Sequence, residues 1–376
     1  MTGEHPLRVA LLNPYFWPEV RRGSERVIRD LSNGLVAAGH EPLLITGTHG
    51  RSSRSLENGL LVIRNRRLPD GIVRRAGYGE PVGQVPGAAL ALARSSPELA
   101  HAFYSSDALA ALEWARLRSR PFVFSAMGLP LESLIRAKRL RLWAWRRIVA
   151  RADAVVVLSA AAQTAIAWLC ADPVVIEPGV DLKVFTTTVE RARDPMILCP
   201  SAIDEPRKRV PLLLDAFTKL RERLPRARLI LSRPPDASSA ARAAARRPGV
   251  ELWDLDRDEN LVRAYSSAWV TVLPSREEAF GLALAESLAC GTPVVGTDEG
   301  GITEVIGDAQ VGRVFGPDDV SALAGALRDV LTLAEEDSIR DLCRERAEAF
   351  SVERSVSAHL SLYERLIEDR PARSGT

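Results

Sequence analysis

Residues 269–296 contain the pattern that most restricts how this chain can fold. An apolar run, Trp269–Leu273, ends in a turn at Pro274–Ser275; an Ala- and Leu-rich helical stretch follows, and Pro293–Val295 is apolar again. A buried strand, a turn, a helix and a second buried strand form the repeating unit of a parallel sheet covered by helices. The segment therefore predicts an α/β domain.

The same alternation fills the rest of the chain. Predicted strands of the first half are Leu7–Leu12, Pro42–Thr46, Leu60–Ile63, Leu99–His101, Phe122–Phe124 and Ala154–Leu158, with a helix from about Ser24 to Ala38. In the second half they are Met196–Cys199, Arg228–Leu231, Val250–Trp253, Trp269–Leu273 and Pro293–Val295, with helices at Val210–Leu224, Ala237–Arg247 and Val352–Glu368. Because strand–helix–strand crossovers are right-handed, two doubly wound, Rossmann-like domains are expected.

Composition excludes several classes of protein. The chain has 376 residues and a formal net charge of +2, which does not favour nucleic-acid binding. Its four cysteines are far apart and suit small buried side chains in a reducing compartment. Val9–Leu12 is too short for a signal peptide, and no apolar stretch has the length of a membrane span. We expect a cytoplasmic protein that can touch the inner face of a membrane.

Two glutamates flank the start of the helix in the 269–296 segment. Glu278 and Glu286 are eight positions apart, and Ala279–Leu282 between them includes a glycine that lets backbone N–H groups approach a ligand. A helix N-terminus binds phosphate through its free N–H groups and its positive dipole end. Carboxylates accept hydrogen bonds from sugar hydroxyls, so the combination fits a nucleotide-sugar. A strand–turn–helix whose glutamates only face solvent is the alternative.

The whole run, continuing through Ala289-Cys-Gly-Thr-Pro-Val-Val295 and Gly300–Val305, resembles the donor motif of retaining glycosyltransferases of family 4. The resemblance implies the GT-B fold, in which two facing Rossmann-like domains enclose a cleft. It implies transfer of a hexose from a UDP-, GDP- or ADP-sugar to an acceptor that the sequence does not identify, without a metal or other cofactor. The expected organisation is an acceptor-side domain over 1–188, a nucleotide-sugar-binding domain over 189–351, and a helix over 352–376 that packs back on the first domain.

A basic loop follows the first strand of the second half. Asp204-Glu-Pro-Arg-Lys208 resembles the family's cationic donor loop, and the resemblance makes Lys208 the group that stabilises the leaving diphosphate, with Arg207 in support. A solvated charge cluster before a helix is the alternative. The family usually has Gly-Arg before this loop, where this chain has Ser201–Ala202, so one cation is missing. Arg207 or Arg209 is a candidate substitute.

The resemblance also assigns the remaining donor contacts. Glu278 would hold the sugar hydroxyls and Glu286 the ribose, and the chain offers no obvious carboxylate nucleophile for a covalent intermediate. Asp254 and Leu255 would contact the base through their backbone; Asp254-Leu-Asp256 is not interpreted as a metal motif. The backbone expected at the diphosphate is that of Ala279, Phe280, Gly281, Leu282 and Ala283.

The first half departs from the family at two positions. Gly23 survives from a Gly-Gly loop and is a predicted donor contact, whereas Arg22 replaces the first glycine and is a second candidate for the missing charge. An ordinary turn glycine is the alternative for Gly23. Met127 stands where many relatives have a histidine that contacts the sugar. His101 is interpreted as structural rather than catalytic.

Residues 134–149 form a basic segment that contains Trp143 and Trp145. A basic helix with aromatic residues can lie on an anionic membrane. A solvated helix that packs its Leu and Trp face on the sheet is the favoured reading. Two other functions also remain open: a nucleotide-sugar 2-epimerase, and a donor-binding relative with impaired catalysis, suggested by Ala202 and Met127.

Overall fold

The computed structural model describes residues 5–20, 23–69, 81–236, 238–316 and 318–369. The chain divides into two compact units. Unit 1 comprises Met1–Gly179 and Val352–Thr376, and unit 2 comprises Val180–Ser351. Residues 180–188 therefore group with unit 2. Among the described residues, no helix combines the length and apolar character that crossing a lipid bilayer requires.

Unit 1 is built on an eight-stranded sheet with the order β3-β4-β2-β1-β5-β6-β7-β8. Its strands are β1 Arg8–Asn13, β2 Glu41–Thr48, β3 Ser53–Glu57, β4 Leu60–Arg66, β5 Leu99–Ala102, β6 Phe122–Ala126, β7 Ala154–Val157 and β8 Val174–Val175. All pairs are parallel except β3 with β4. The chain departs from β1 to both sides, towards β2 and towards β5, so the strand order reverses at β1.

The antiparallel strand β3 corrects the expectation of a wholly parallel sheet. It pairs with β4 through a tight turn in which Asn58 and Gly59 both have positive φ angles, of 49° and 85°. Asn-Gly is the dipeptide that favours such a hairpin turn, because both residues tolerate this backbone conformation. The turn signal is therefore present in the sequence, although β3 itself has no apolar run.

Helices cover both faces of the unit 1 sheet. Those within the described residues are α1 Gly23–Ala37, α2 Val85–Ser95, α3 Ser105–Arg118, α4 Glu132–Arg136, α5 Arg139–Val149, α6 Ala160–Ile166 and α14 Val352–Glu368. One hydrophobic core lies between the sheet and helices α2, α3 and α5. The other lies on the opposite face of the sheet, beneath α1 and α14. Helix α14 packs on α1 closely enough that a Cβ on Gly34 would be 2.3 Å from Val356 Cγ2.

Unit 2 is built on a six-stranded parallel sheet with the order β11-β10-β9-β12-β13-β14. Its strands are β9 Met196–Cys199, β10 Arg228–Ser232, β11 Val250–Trp253, β12 Val270–Leu273, β13 Val294–Thr297 and β14 Gly312–Phe315. Its helices are α7 Val210–Arg221, α8 Ser239–Ala245, α9 Asp258–Ser267, α10 Leu282–Ala289, α11 Ile302–Ile306, α12 Val320–Leu333 and α13 Ile339–Glu348. The order reverses between β9 and β12. In open α/β sheets, ligands bind beyond the carboxyl ends of the strands at such a switch point.

Candidate active site

The carboxyl ends of β9 and β12 bring the two predicted catalytic residues together. After β9, a short 3-10 turn over Pro206–Lys208 presents Lys208, and the loop after β12 presents Glu278. Lys208 Nζ donates to Glu278 Oε2 at 2.7 Å, and their side chains are 14% and 18% exposed. Arg207 lies on the edge of the same carboxylate at 3.5 Å and also pairs with Glu205. The pair is partly shielded from water, which strengthens its electrostatic interaction.

Arg209 clamps the loop that carries Lys208. It is buried and adopts a left-handed backbone conformation, with a φ of 48°. Its Nε donates to the Pro274 carbonyl at 2.8 Å, and its Nη1 donates to Asp318 Oδ1 at 2.7 Å. Asp318 also pairs with Arg276, whose backbone N–H donates to the Arg207 carbonyl at 2.8 Å. One guanidinium thus ties together the loops that follow β9, β12 and β14.

These contacts bear on which cation could replace the missing one. The Arg209 guanidinium is committed to a backbone carbonyl and a carboxylate, and its burial lowers its pKa. A group held in this way positions its neighbours and is poorly placed to bind a diphosphate. Arg207, in contrast, is 40% exposed, so a ligand can reach it. Arg22, the other candidate, lies outside the described residues.

The N-terminus of α10 stands beside the Lys208–Glu278 pair. Gly281 caps it with a φ of 104°, a conformation that a glycine adopts without strain. The side chains of Ala279 and Phe280 are buried, whereas Leu282 and Ala283 are partly exposed. Ala279 and Phe280 could therefore meet a ligand only through their backbone. The first N–H groups of a helix have no partner within it, so this turn can receive an anion.

The Gly300–Gly301 pair packs directly on this turn. Gly301 N donates to the Glu278 carbonyl at 3.0 Å. A Cβ on Gly300 would be 2.3 Å from the same carbonyl oxygen, and a Cβ on Gly301 would be 2.4 Å from the Ala279 carbonyl oxygen. No side chain fits at either position. The two glycines therefore support the backbone on which Glu278 and the α10 turn depend.

The second glutamate of the motif lies in a different environment from the first. Glu286, within α10, is 1% exposed, and its Oε2 accepts a hydrogen bond from the buried Tyr265 hydroxyl on α9 at 2.9 Å. Only this small accessible part of the residue could meet a ribose. Tyr265 was not singled out from the sequence, because nothing in its helical pattern distinguishes it from an ordinary core residue.

Asp254 and Leu255 follow β11, the edge strand of the sheet. Asp254 is exposed and its Oδ1 accepts from the Asp256 backbone N–H at 3.1 Å, while the Leu255 side chain is buried. Strand β10 separates β11 from β9. In the part of the chain that the structure describes, no three His, Cys, Asp or Glu side chains form a group that could hold a metal ion.

Gly23, Met127 and His101, which the sequence singled out in unit 1, lie in different parts of its fold. Gly23 is the first residue of α1. Met127 follows β6 and packs, partly buried, against the core on the α1 side. His101 is fully buried: Nδ1 lies 2.6 Å from the Tyr363 hydroxyl and Nε2 lies 2.7 Å from Ser125 Oγ. Both ring nitrogens are thus engaged inside the fold, which agrees with a structural role.

The sequence suggested one helix over the basic segment 134–149, but the structure has two. It forms α4 and α5, with a break at Ala137–Lys138, where Lys138 has extended backbone angles. Trp145 is buried and packs edge-on against Phe124, at 5.2 Å between ring centroids, whereas Trp143 is 55% exposed. One tryptophan thus anchors α5 to the sheet, and the other stands on the surface among arginines.

Comparison with known proteins agrees with this architecture. The chain superposes on a sucrose-phosphate synthase from Thermosynechococcus elongatus with a TM-score of 0.80, at 22% identity, over 96% of this chain and 99% of that one. It also superposes on Anabaena HepE, solved in complex with UDP-glucose, with a TM-score of 0.71 at 17% identity, over 95% and 100% of the two chains. Two α/β units with parallel sheets of this kind define the GT-B class of fold.

Sequence comparison then identifies the family. The profile described as "Glycosyltransferase Family 4" matches residues 21–184, and the one described as "Glycosyl transferases group 1" matches residues 194–333. The chain belongs to glycosyltransferase family 4. A D-inositol 3-phosphate glycosyltransferase of Mycolicibacterium smegmatis is 32% identical over 216 residues, covering 53% of this chain and 49% of that protein. The chain spans about half the length of the curated relatives it matches.

Proposed function

We propose that this chain is a retaining glycosyltransferase that moves a hexose from a nucleoside-diphosphate sugar to an acceptor. The observation that carries the proposal is the Lys208–Glu278 pair, 2.7 Å apart, at the switch point of the unit 2 sheet and beside the N-terminus of α10. A cation, a carboxylate and free backbone N–H groups at one place match the three parts of such a donor: the leaving phosphate, the sugar hydroxyls and the diphosphate.

The proposed reaction begins with the diphosphate on the backbone of the α10 turn. As the glycosidic bond breaks, negative charge builds on the leaving phosphate oxygen, and Lys208, supported by Arg207, stabilises it. Glu278 accepts hydrogen bonds from the sugar hydroxyls and holds the sugar while it acquires oxocarbenium character. The acceptor hydroxyl attacks from the face that the phosphate leaves and gives its proton to the departing phosphate oxygen, so the anomeric configuration is retained without a covalent intermediate.

Two features support a reaction without a divalent metal. The loop after β9 contributes cationic side chains, and the α10 turn contributes backbone donors. Preorganised donors of this kind stabilise developing charge in place of a metal. We propose that Gly23, Asp254 and Leu255 are further donor contacts. Glu286 is the proposed ribose contact, and its hydrogen bond from Tyr265 would fix the direction of the carboxylate.

The relatives narrow the donor only to its class. HepE is described in complex with UDP-glucose, which favours a nucleotide-sugar here. UDP-, GDP- and ADP-sugars all remain candidates, because Asp254 and Leu255 are proposed to contact the base through backbone atoms that do not define it. The M. smegmatis relative is named for transfer to an inositol phosphate. We infer that the acceptor of this chain is also a small hydroxyl compound or a saccharide, free or lipid-linked.

We also propose a cytoplasmic location with peripheral attachment to the inner face of the membrane. The surface of α4 and α5 exposes Leu134, Leu140 and Trp143. Basic side chains surround these apolar groups: Arg136, Lys138, Arg139, Arg141, Arg146 and Arg147. Apolar groups among cations suit the headgroup region of an anionic bilayer. The scaffold role of α5 and this surface role coexist, because Trp145 faces the core and Trp143 faces outward.

One experiment tests the proposal against its two competitors. The full chain is incubated with a panel of UDP-, GDP- and ADP-sugars, and the products are followed by NMR. Slow release of the nucleoside diphosphate supports a transferase, and conversion to an epimerised donor would support the isomerase. Binding without turnover would support a donor-binding relative with impaired catalysis. That last candidate is favoured by one observation: the exposed Ala202 provides no cation in the donor loop.

A further inference from the structure

Three arginines of unit 2 meet at a place where three helices end. Arg191 precedes β9, and Arg340 and Arg344 lie on α13. Their guanidinium groups donate to carbonyl oxygens at the carboxyl ends of α9, α10 and α12: Ser266 for Arg340, Gly291 and Ala334 for Arg191, and Ala289 for Arg344. Arg344 also donates to Thr186 Oγ1 at 3.0 Å. None of these acceptors is a carboxylate, so the contacts explain where the arginines lie without neutralising their charge.

The helix ends offset only part of this positive charge. The carboxyl end of a helix carries the equivalent of about half a negative charge, so three ends offset about half of the charge of three arginines. Burial, and then the charge of Arg340, lower the pKa of Arg191 to about 10. Arg191 Nε and Arg340 Nη1 are also buried without a hydrogen-bond partner. An unpaired charged donor is costly in a protein interior, so the protein leaves both groups incompletely satisfied.

An open groove with a volume of about 730 Å³ leads to Arg191 and Arg340. Residues 187–193 form much of its wall. Both arginines line the groove and are partly exposed, so a molecule that enters it meets them. The exposed Arg193 adds a third positive charge to the lining, and the exposed Glu190 adds a negative one. The lining therefore has an excess of two positive charges.

The charge and the size of the groove define the class of ligand. A phosphate monoester carries about −1.5 to −2 charges near neutral pH, which matches this excess, whereas a carboxylate carries a single charge. Guanidinium groups bind phosphate oxygens through paired N–H donors. The volume of the groove lies in the range of small-molecule sites, about 300–1,000 Å³. It therefore has room for the organic part of a phosphate monoester.

We propose that Arg191, Arg193 and Arg340 form a binding site for a phosphate group, carried by a small molecule or free as inorganic phosphate. The site is separate from the candidate active site. It lies at the carboxyl end of α10, whereas Lys208 and Glu278 lie beside the N-terminus of this helix, and a helix of 8 residues is about 12 Å long. The bound molecule is therefore not the donor that reacts, and its binding does not depend on the activity proposed above.

The test measures binding of inorganic phosphate and of glycerol 3-phosphate to the full chain by isothermal titration calorimetry, at constant ionic strength. Both should bind. Tighter binding of glycerol 3-phosphate, the expected result, assigns the site to a monoester, and tighter binding of inorganic phosphate assigns it to the free anion. Arg340→Gln removes a charge and keeps an N–H donor for the Ser266 carbonyl. It should weaken binding at least about 10-fold, as expected for one charge-assisted hydrogen bond. Its melting temperature without phosphate should stay close to that of wild type.

Arg193→Glu is the second variant, and it should abolish binding without affecting folding because Arg193 is exposed. The matched control is Arg223→Glu, which reverses an exposed arginine outside the groove and should bind as wild type does. Lys208→Ala should also leave binding unchanged. The proposal is overturned if wild type binds neither ligand, or if Arg340→Gln and Arg193→Glu bind as wild type does. Equal loss in Arg223→Glu would show a response to net charge alone, and loss in Lys208→Ala alone would place the anion in the active site; either result overturns it.

Discussion

The structure allows the loss of kcat on removing the amine of Lys208 to be estimated. Its Nζ lies 2.7 Å from Glu278 and its side chain is 14% exposed, so its charge acts in a partly desolvated setting. At an effective dielectric constant of about 20, an ammonium group and a phosphate charge about 4 Å apart attract each other by about 4 kcal/mol. Loss of one preorganised electrostatic group typically costs about 10²–10³ in kcat. We expect Lys208→Ala to lower kcat for donor hydrolysis by this factor.

The partner of Lys208 gives the experiment a second, independent signature. Without the amine, the Glu278 carboxylate remains beside the incoming diphosphate and repels it, so KM for the donor should rise as well. Adding Glu278→Gln should recover donor affinity without recovering kcat. Lys219→Ala is the matched control, because Lys219 is an exposed lysine on α7 whose Nζ donates to Ser321 Oγ at 3.0 Å. Wild-type kcat in Lys208→Ala would refute the assignment.

Three further predictions concern metal, membrane and pH. Donor hydrolysis should survive exhaustive chelation, since backbone donors and cations serve the diphosphate; activity lost on chelation and restored by magnesium or manganese contradicts this. The full chain should float with anionic liposomes at low salt, with each basic side chain near the surface contributing about 1 kcal/mol. Changing Arg139 and Arg146 to Glu should abolish flotation. Liposome binding that is unaffected by both salt and these changes would exclude the surface of α4 and α5 as the membrane-binding site. Burial lowers the pKa of His359 from 6.5 to about 4 and holds that of His101 well below its usual range. The unfolded chain therefore takes up protons that the folded chain does not, so these two histidines leave stability unchanged above about pH 6.5. It should fall between about pH 6.5 and about pH 4, by up to about 3 kcal/mol for His359. His359→Gln should flatten this fall in urea-unfolding measurements, and an identical pH dependence in the variant argues against it.

The strands of unit 2 were predictable from the sequence because they are short apolar runs between helices. Met196–Cys199 and Val250–Trp253 have the predicted bounds, and so does α14. Strand β14 was missed because only some of its side chains are buried, so it has no continuous apolar run. A continuous apolar run marks a strand that is buried on both faces. It therefore predicts the buried strands of this sheet and misses β14, which is buried only in part.

The pairing of Lys208 with Glu278 could be anticipated only in part. Their positions after two predicted strands place both at the carboxyl edge of the sheet, but which strands are neighbours is a property of the topology. The contacts of the Arg209 side chain could not be predicted, because its partners, Pro274 and Asp318, are far away in the sequence. The burial of Glu286 beneath Tyr265 likewise depends on how α9 packs on α10.

The measurement that tests the central claim most directly is the stereochemistry of donor cleavage. The full chain, with metal removed by chelation, is incubated with the donor that it turns over, and the anomeric signals of the released sugar are recorded by NMR before mutarotation. The account predicts that the nucleoside diphosphate is released and that the sugar first appears with the anomeric configuration of the donor. Release of a sugar with inverted configuration, or no release from any UDP-, GDP- or ADP-sugar, would contradict it.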